Sequence, residues 1–159
     1  MTVARLIASG LGSGFVPVAP GTAGSLVGLL LGAVVLWCAP WMMPSITWAS
    51  VACGLVAVRA ATGLPWRHAA KGEADDPGWV VIDEIAGQLC ALLLLPGPSW
   101  AGLLLAFALF RLLDIAKPGP IGWLDRQGGA LGIMADDVLA GLVAGALVGA
   151  AHWARPALL

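Results

Sequence analysis

Residues 79–118 read WVVIDEIAGQLCALLLLPGPSWAGLLLAFALFRLLDIAKP, with no charged residue between Glu84 and Arg111 and with Pro96 and Pro98 in the middle of the apolar run. Two prolines in three residues break a helix, because each lacks an amide hydrogen and its ring clashes with the preceding turn. The stretch therefore reads as a hairpin of two apolar helices, over residues 79–95 and 99–116, running antiparallel from one turn. Asp83 stands twelve residues before Leu95, and Arg111 stands twelve after Ser99. At a rise of about 1.5 Å per residue, both lie roughly 18 Å from the turn. The hairpin thus brings Asp83, Glu84, Arg111 and Asp114 to similar depth.

Upstream of the hairpin, residues 25–43 form an uncharged run of 19 residues, close to the roughly 20 needed to cross hydrocarbon as a helix. A second, shorter apolar run over residues 46–58 ends at Arg59, whose polar end can snorkel. Residues 59–77 hold Arg67, His68, Lys71, Glu73, Asp75 and Asp76 and read as a solvent-exposed loop. Downstream, Lys117 and Pro118 end the hairpin. A loop rich in Gly and Pro then leads to Asp136, read as the N-cap of a final apolar helix over residues 138–153.

The expected fold is all-α: one multihelical integral membrane bundle over residues 1–159, with about five apolar helices and a carboxylate cluster on its cytoplasmic side. Arg5, Arg59, Arg67, Lys71, Arg111, Lys117 and Arg126 fall on one side of this arrangement and Arg155 on the other. The positive-inside rule makes the crowded side cytoplasmic, so the turns at Pro44 and Pro98 should face outward.

Composition agrees. Of 159 residues, 60% are hydrophobic and only 11% charged, against roughly 25% charged in soluble domains, and the mean hydropathy is +0.93. Eight Lys/Arg and nine Asp/Glu nearly cancel, which leaves no basic face for nucleic acid. Gly10, Gly12 and Gly14 interrupt the first apolar piece, so no cleaved export signal is expected. Cys38, Cys53 and Cys90 lie in apolar runs without metal-ligand spacing and read as small buried hydrophobes.

The chemistry sits on the crowded side. Asp83, Glu84, Asp114, Asp136 and Asp137 lie at or just inside helix ends, where an uncompensated charge at bilayer depth costs roughly 2.5–3.5 kcal/mol. Hard oxygen ligands without thiolate or imidazole suit magnesium, which commonly takes one or two protein carboxylates together with water and substrate phosphate. Capping and ion pairing with Arg111 and Lys117 is the plainer account of any one acid, but five acids on one face favour a metal site. Helix rise places Asp83 and Asp114 within about 5 Å of each other in depth, and Asp137 begins the last helix at the same face. These three are the expected metal ligands, with Asp136 as cap and Glu84 pairing with Arg111 or a metal-bound water.

Arg111, Asp114 and Lys117 recur every third residue and share one helix face, able either to form a salt-bridge ladder or to hold a ligand and two phosphate clamps. In the segment SGLGSGFVPVAPGTAGSL, Gly21, Thr22 and Ser25 precede or open the first spanning helix, whose exposed amides attract phosphate. Glycines of this kind also serve close helix packing in membranes. Cys53 and Arg59 match the spacing of the phosphate loop in cysteine-dependent phosphatases, but the five residues between them are apolar and helical, so their amides cannot cradle an anion.

Four blocks in order, GSGFVPVAPGTAGSL, VVIDEIAGQ, FRLLDIAKPGPIGWLDR and GIMADDVLAG, resemble the bacterial phosphatidylglycerophosphatase A family over nearly the whole chain. The resemblance implies a magnesium-dependent hydrolase acting on a phospholipid at the cytoplasmic face of the bacterial inner membrane. Phosphatidylglycerophosphate would yield phosphatidylglycerol and inorganic phosphate. By position, the family's acidic motifs fall on Asp83 and Glu84, on Asp114 with Arg111 and Lys117, and on Asp136 with Asp137. One departure is that Ala130 and Leu131 follow Gly128 and Gly129, where the family has glycines nearer to GIM. Asp83, Asp136 or Asp137 would serve as general base, and both direct water attack and an aspartyl-phosphate route are open.

Two other readings compete. A lipid phosphotransferase of the CDP-alcohol type also uses magnesium and membrane aspartates, but its D-x-x-D-G-x-x-A-R signature is missing. A small ion or solute transporter would spread acids through the membrane over inverted repeats, whereas these acids crowd to one side.

Overall fold

The elements follow from where prolines and glycines allow helices to start and stop. The computed structural model describes residues 1–67 and 77–154; of the expected polar loop, His68, Lys71, Glu73, Asp75 and Asp76 lie outside the described residues, as does Arg155. The described residues form seven α-helices and no strand: α1 (Val3–Ala8), α2 (Pro20–Cys38), α3 (Met43–Thr62), α4 (Ile82–Leu92), α5 (Trp100–Ala116), α6 (Pro120–Asp125) and α7 (Ala130–Ala154). Short 3₁₀ turns cover Gly10–Phe15 and Pro40–Met42.

Several boundaries depart from the sequence expectation, each for a local reason. Helix α2 starts at Pro20 rather than near Ser25, since proline is well tolerated in the first turn. Pro44 likewise sits at the start of α3, which runs for 20 residues, past Arg59, to the left-handed Gly63 that caps it. The second run is therefore a full-length helix. The hairpin exists, with Ser99 Oγ accepting the Gly102 amide to cap α5, but α4 is shorter than residues 79–95. Its entry is held by the Val81 amide donating to the Ala8 carbonyl, and beyond Leu92 the chain tightens into i→i−3 bonds at Leu93 and Leu95.

The largest correction concerns the last helix. It begins at Ala130, not at residue 138, because the amides of Ala130 and Leu131 donate to the carbonyls of Pro65 and Trp66. Asp136 therefore lies in the second turn of α7 and caps nothing.

Helix α4 is the centre of the bundle, with ten of its eleven residues buried. Glycines let its neighbours approach closely. On α2, Gly24, Gly28 and Gly32 pass over Val81, over Ile85 with Gln88, and over Leu89 with Leu92, respectively. On α7, Gly141 rests on the Gly87 carbonyl and Gly145 on the Cys90 carbonyl, where an added Cβ would collide. Small residues at four-residue spacing serve this close packing in membranes, where the hydrophobic effect does not drive helices together.

Among the described residues, three helical segments are long and apolar enough to cross a membrane: Pro20–Cys38, Pro40–Thr62 and Ala130–Ala154. Helix α5 has 17 residues and α4 only 11; at about 1.5 Å per residue α4 is ~16 Å long, against ~30 Å of hydrocarbon. The five apolar helices α2, α3, α4, α5 and α7 thus differ in length, and α4 is too short to span. Surrounded by α2, α3, α5 and α7, α4 meets protein rather than lipid and has no need to span. Large apolar side chains such as Leu30, Val34, Val56 and Leu104 point outward. Trp37, Trp41, Trp48, Trp100 and Trp153 lie exposed toward one end, and Trp66 and Trp123 toward the other, as in the aromatic belts of membrane proteins. Cys38 and Cys53 are exposed on this outer surface, and only Cys90 is buried, which corrects the reading of all three as buried.

Gly141→Ala should lower the thermal unfolding midpoint in detergent, corresponding to about 1–3 kcal/mol of overpacking. Gly97→Ala, where an added Cβ meets nothing within 4 Å, should change stability by less than about 0.5 kcal/mol. Fluorescence-monitored melting of the two variants beside the parent protein checks the contrast.

Candidate active site

The first turns of α2, α4 and α7 and the last turn of α5 meet at one end of the bundle. They enclose a cavity of about 210 Å³ lined by Pro20, Gly21, Gly78, Val80, Asp83, Glu84, Asp114, Lys117, Ile133, Asp136 and Asp137. All five acids singled out from the sequence line this one cavity. Asp83 and Glu84 come from the first turn of α4, Asp136 and Asp137 from the second turn of α7, and Asp114 from the end of α5. Asp83, Asp114, Asp136 and Asp137 are buried, so their charge depends on what faces them.

Two cations face them. Arg111 donates to Asp114 Oδ2 at 2.5 Å, and Lys117 donates to Asp136 Oδ2 at 2.5 Å. Lys117 Nζ also stands 3.5 Å from Asp114 and 3.3 Å from Asp125. The i, i+3 ladder on α5 therefore forms, with Asp114 and Lys117 lining the cavity and Arg111 bonded to Asp114 behind them. Burial disfavours charge on Lys117, yet its bond to Asp136 and the nearby charges of Asp136, Asp137 and Asp114 outweigh this and raise its pKa above the ordinary lysine value. Lys117 takes up a left-handed backbone conformation (φ 44°) just beyond α5, which turns the chain back over the site.

Arg111 is also tied to α2. Its Nη1 lies 3.4 Å from Ser25 Oγ and its Nη2 3.5 Å from Thr22 Oγ1, and Ser25 donates back to the Gly21 carbonyl at 2.8 Å. Ser25 is fully buried, so in this arrangement its hydroxyl orients Arg111. Gly21 borders the cavity itself, because a side chain there would strike Glu84 Oε1. Within the glycine-rich block Gly21 leaves room at the cavity, and Gly24, followed by Gly28 and Gly32 beyond the block, packs α2 on α4.

Among the described residues, Asp83, Glu84 and Asp137 are the group whose ligand oxygens all lie within 4.8 Å of one another. Asp114, expected beside Asp83 and Asp137, lines the same cavity and is engaged by Arg111 and Lys117. The donors are all hard carboxylate oxygens, and Glu84 Oε2 is buried without a hydrogen-bond partner. That chemistry fits a magnesium-like ion. Cys53 and Arg59 do not approach a common anion site. Arg59 donates to the Leu64 carbonyl and stacks on Trp66, while Cys53 borders an apolar groove between α1 and α3.

The pairing of Lys117 with Asp136 could not be assigned from sequence, because the two lie 19 residues apart across α6. Asp125 was not singled out at all; its signal was its place beside Arg126 in a short Pro-initiated helix. Asp136 should matter more than a cap would. Asp136→Asn should lower turnover by about 10–100-fold by releasing Lys117, and a steady-state assay giving near-native turnover would contradict this pairing.

Comparison with known sequences bears on the same residues. The Phosphatidylglycerophosphatase A family profile matches residues 6–152. The chain is 34% identical over 147 residues to Phosphatidylglycerophosphatase A of Escherichia coli, covering 91% of this chain and 80% of that protein. It is 38% identical over 143 residues to the protein of that name from Haemophilus influenzae, covering 88% and 83%. It is also 39% identical over 156 residues to a Bacteroides thetaiotaomicron protein provisionally named phosphatidylinositol-3-phosphatase, covering 93% and 92%. No solved structure matches the chain.

Proposed function

The chain belongs to the phosphatidylglycerophosphatase A family, and on that premise we propose that it hydrolyses the terminal phosphate monoester of phosphatidylglycerophosphate to phosphatidylglycerol and inorganic phosphate, with magnesium as cofactor. The observation that carries this reading is the cavity in which Asp83, Glu84 and Asp137 converge opposite Arg111 and Lys117. Acids and cations facing each other across one small space suit a metal ion and a phosphate dianion together.

Asp83, Glu84 and Asp137 would hold the magnesium ion. Bound there, it supplies Lewis acidity toward the phosphoryl oxygens and the attacking water. Arg111, oriented by Asp114, Thr22 and Ser25, and Lys117, oriented by Asp136, stabilise charge on the equatorial oxygens of the transferring phosphoryl group. Gly21 leaves room beside Glu84 for the phosphate, and the amides of the first turn of α2 add hydrogen-bond donors. As the water oxygen bonds to phosphorus and the bond to the glycerol oxygen breaks, a carboxylate of the site, Asp83, Asp136 or Asp137, receives the proton of the water and passes it to the departing glycerol oxygen.

The protein would be a multi-pass protein of the bacterial inner membrane, with the cavity facing the cytoplasm. Arg5, Arg59, Arg67, Arg111, Lys117 and Arg126 gather toward the cavity end, as the positive-inside rule requires of a cytoplasmic face. With the substrate in the same bilayer, that end places the phosphate monoester at headgroup level while the acyl chains stay in lipid.

Purified protein in detergent should release phosphate from phosphatidylglycerophosphate with magnesium and lose that activity in chelator. Release unaffected by chelator would remove the metal from the reading. Higher kcat/KM on phosphatidylinositol 3-phosphate would move the substrate to that of the Bacteroides relative's name. Asp83→Asn, Glu84→Gln and Asp137→Asn should each cut turnover by at least ~100-fold in folded protein, whereas Cys53→Ser should leave it nearly unchanged. For orientation, single cysteines at positions 44 and 117, on a background lacking the native three, should react with impermeant reagent from opposite sides of the membrane.

A further inference from the structure

Gln88 lies one helical turn beyond Glu84 on α4, fully buried, and neither its amide nitrogen nor its amide oxygen has a hydrogen-bond partner. A buried carboxamide with both ends unpaired destabilises a fold, and an apolar side chain of similar shape would remove that cost. The same helix carries a second buried atom without a partner, Glu84 Oε2. Residues four apart share one helix face, and long helical side chains lean back toward the N-terminus. Gln88 therefore shares the Glu84 face of α4, an amide donor without an acceptor one turn from a carboxylate oxygen without a donor. Helix α2 leaves space for it at Gly28, where a Cβ would stand 3.0 Å from the Gln88 Cβ.

We propose that Gln88 is a positioning residue for the carboxylate site: with a divalent ion bound, its Nε2–H group donates to Glu84 Oε2 and holds the other carboxylate oxygen toward the ion. The inference rests on the reading of Asp83, Glu84 and Asp137 as a metal site. Outer hydrogen bonds to metal-binding carboxylates fix their orientation, and losing one typically costs 10–100-fold in metal affinity.

A purely structural amide and a positioning amide differ in what Gln88→Met should do. The test uses the full chain in detergent, with Mn²⁺ affinity read by electron paramagnetic resonance titration and thermal unfolding read in chelator. The expected result is an unchanged or raised melting midpoint without metal, together with Mn²⁺ binding weakened by about 10–100-fold. Gln88→Leu provides a second apolar replacement with the same expectation. Mn²⁺ affinity within twofold of the parent in both variants overturns the inference while leaving the metal site intact. Loss of folding in both without metal shows that the amide serves the fold and also overturns it. A parent protein that binds no Mn²⁺ removes the metal reading itself, and the role of Gln88 with it.

Discussion

The contact on which the structure depends is the close approach of α2 and α7 to the short central helix α4. Gly24, Gly28 and Gly32 on one side and Gly141 and Gly145 on the other let backbone lie against backbone, where a bilayer offers no hydrophobic drive for association. A further constraint follows from the direction of these helices. All three begin at the same end, so the first turns of α2 and α4 and the second turn of α7 deliver Gly21, Asp83, Glu84, Asp136 and Asp137 into one cavity. Displacing α4 against α7 by a turn, about 5.4 Å, would separate oxygens that now lie within 4.8 Å.

Such a concentration of carboxylates is costly at the edge of a low-dielectric interior, and the fold answers with two cations from α5 and its C-terminal turn. Arg111 is braced by Asp114 and by the hydroxyls of Thr22 and Ser25, while Lys117 is drawn toward Asp136, Asp125 and Asp114. Because each cation touches more than one helix, the same bonds orient the charges and join α5 to α2 and α7. Stability and site geometry are coupled at this end of the bundle. Among the described residues, the opposite end carries turns and exposed aromatic and apolar side chains such as Trp37, Trp41 and Trp100.

The length of α4 shows how burial changes what a helix in a membrane protein must do. A helix facing lipid has to satisfy its backbone across the whole hydrocarbon thickness. A helix enclosed by four others can stop after 11 residues and give way to irregular chain, because its ends meet protein groups. Its entry is held by the Val81–Ala8 hydrogen bond, and Arg5 stacks over Trp79 just before it. The N-terminal segment thereby helps set where Asp83 and Glu84 stand.

From sequence alone, hydropathy and proline placement determined an all-α membrane protein, the 96–98 turn and the clustering of acids with Arg111 and Lys117 at one end. These follow from local rules: apolar run length, helix breaking and rise per residue. The tertiary structure alone decided that α4 is interior and short, that α7 starts at Ala130 through bonds to Pro65 and Trp66, and that Asp136 pairs with Lys117 instead of capping a helix. It also brought a carboxylate oxygen of Glu84 within 4.8 Å of oxygens of Asp83 and Asp137. Depth along a helix can be counted from sequence, but rotation about its axis cannot, and which carboxylate faces which is set by the rotation that glycine packing imposes on α2, α4 and α7.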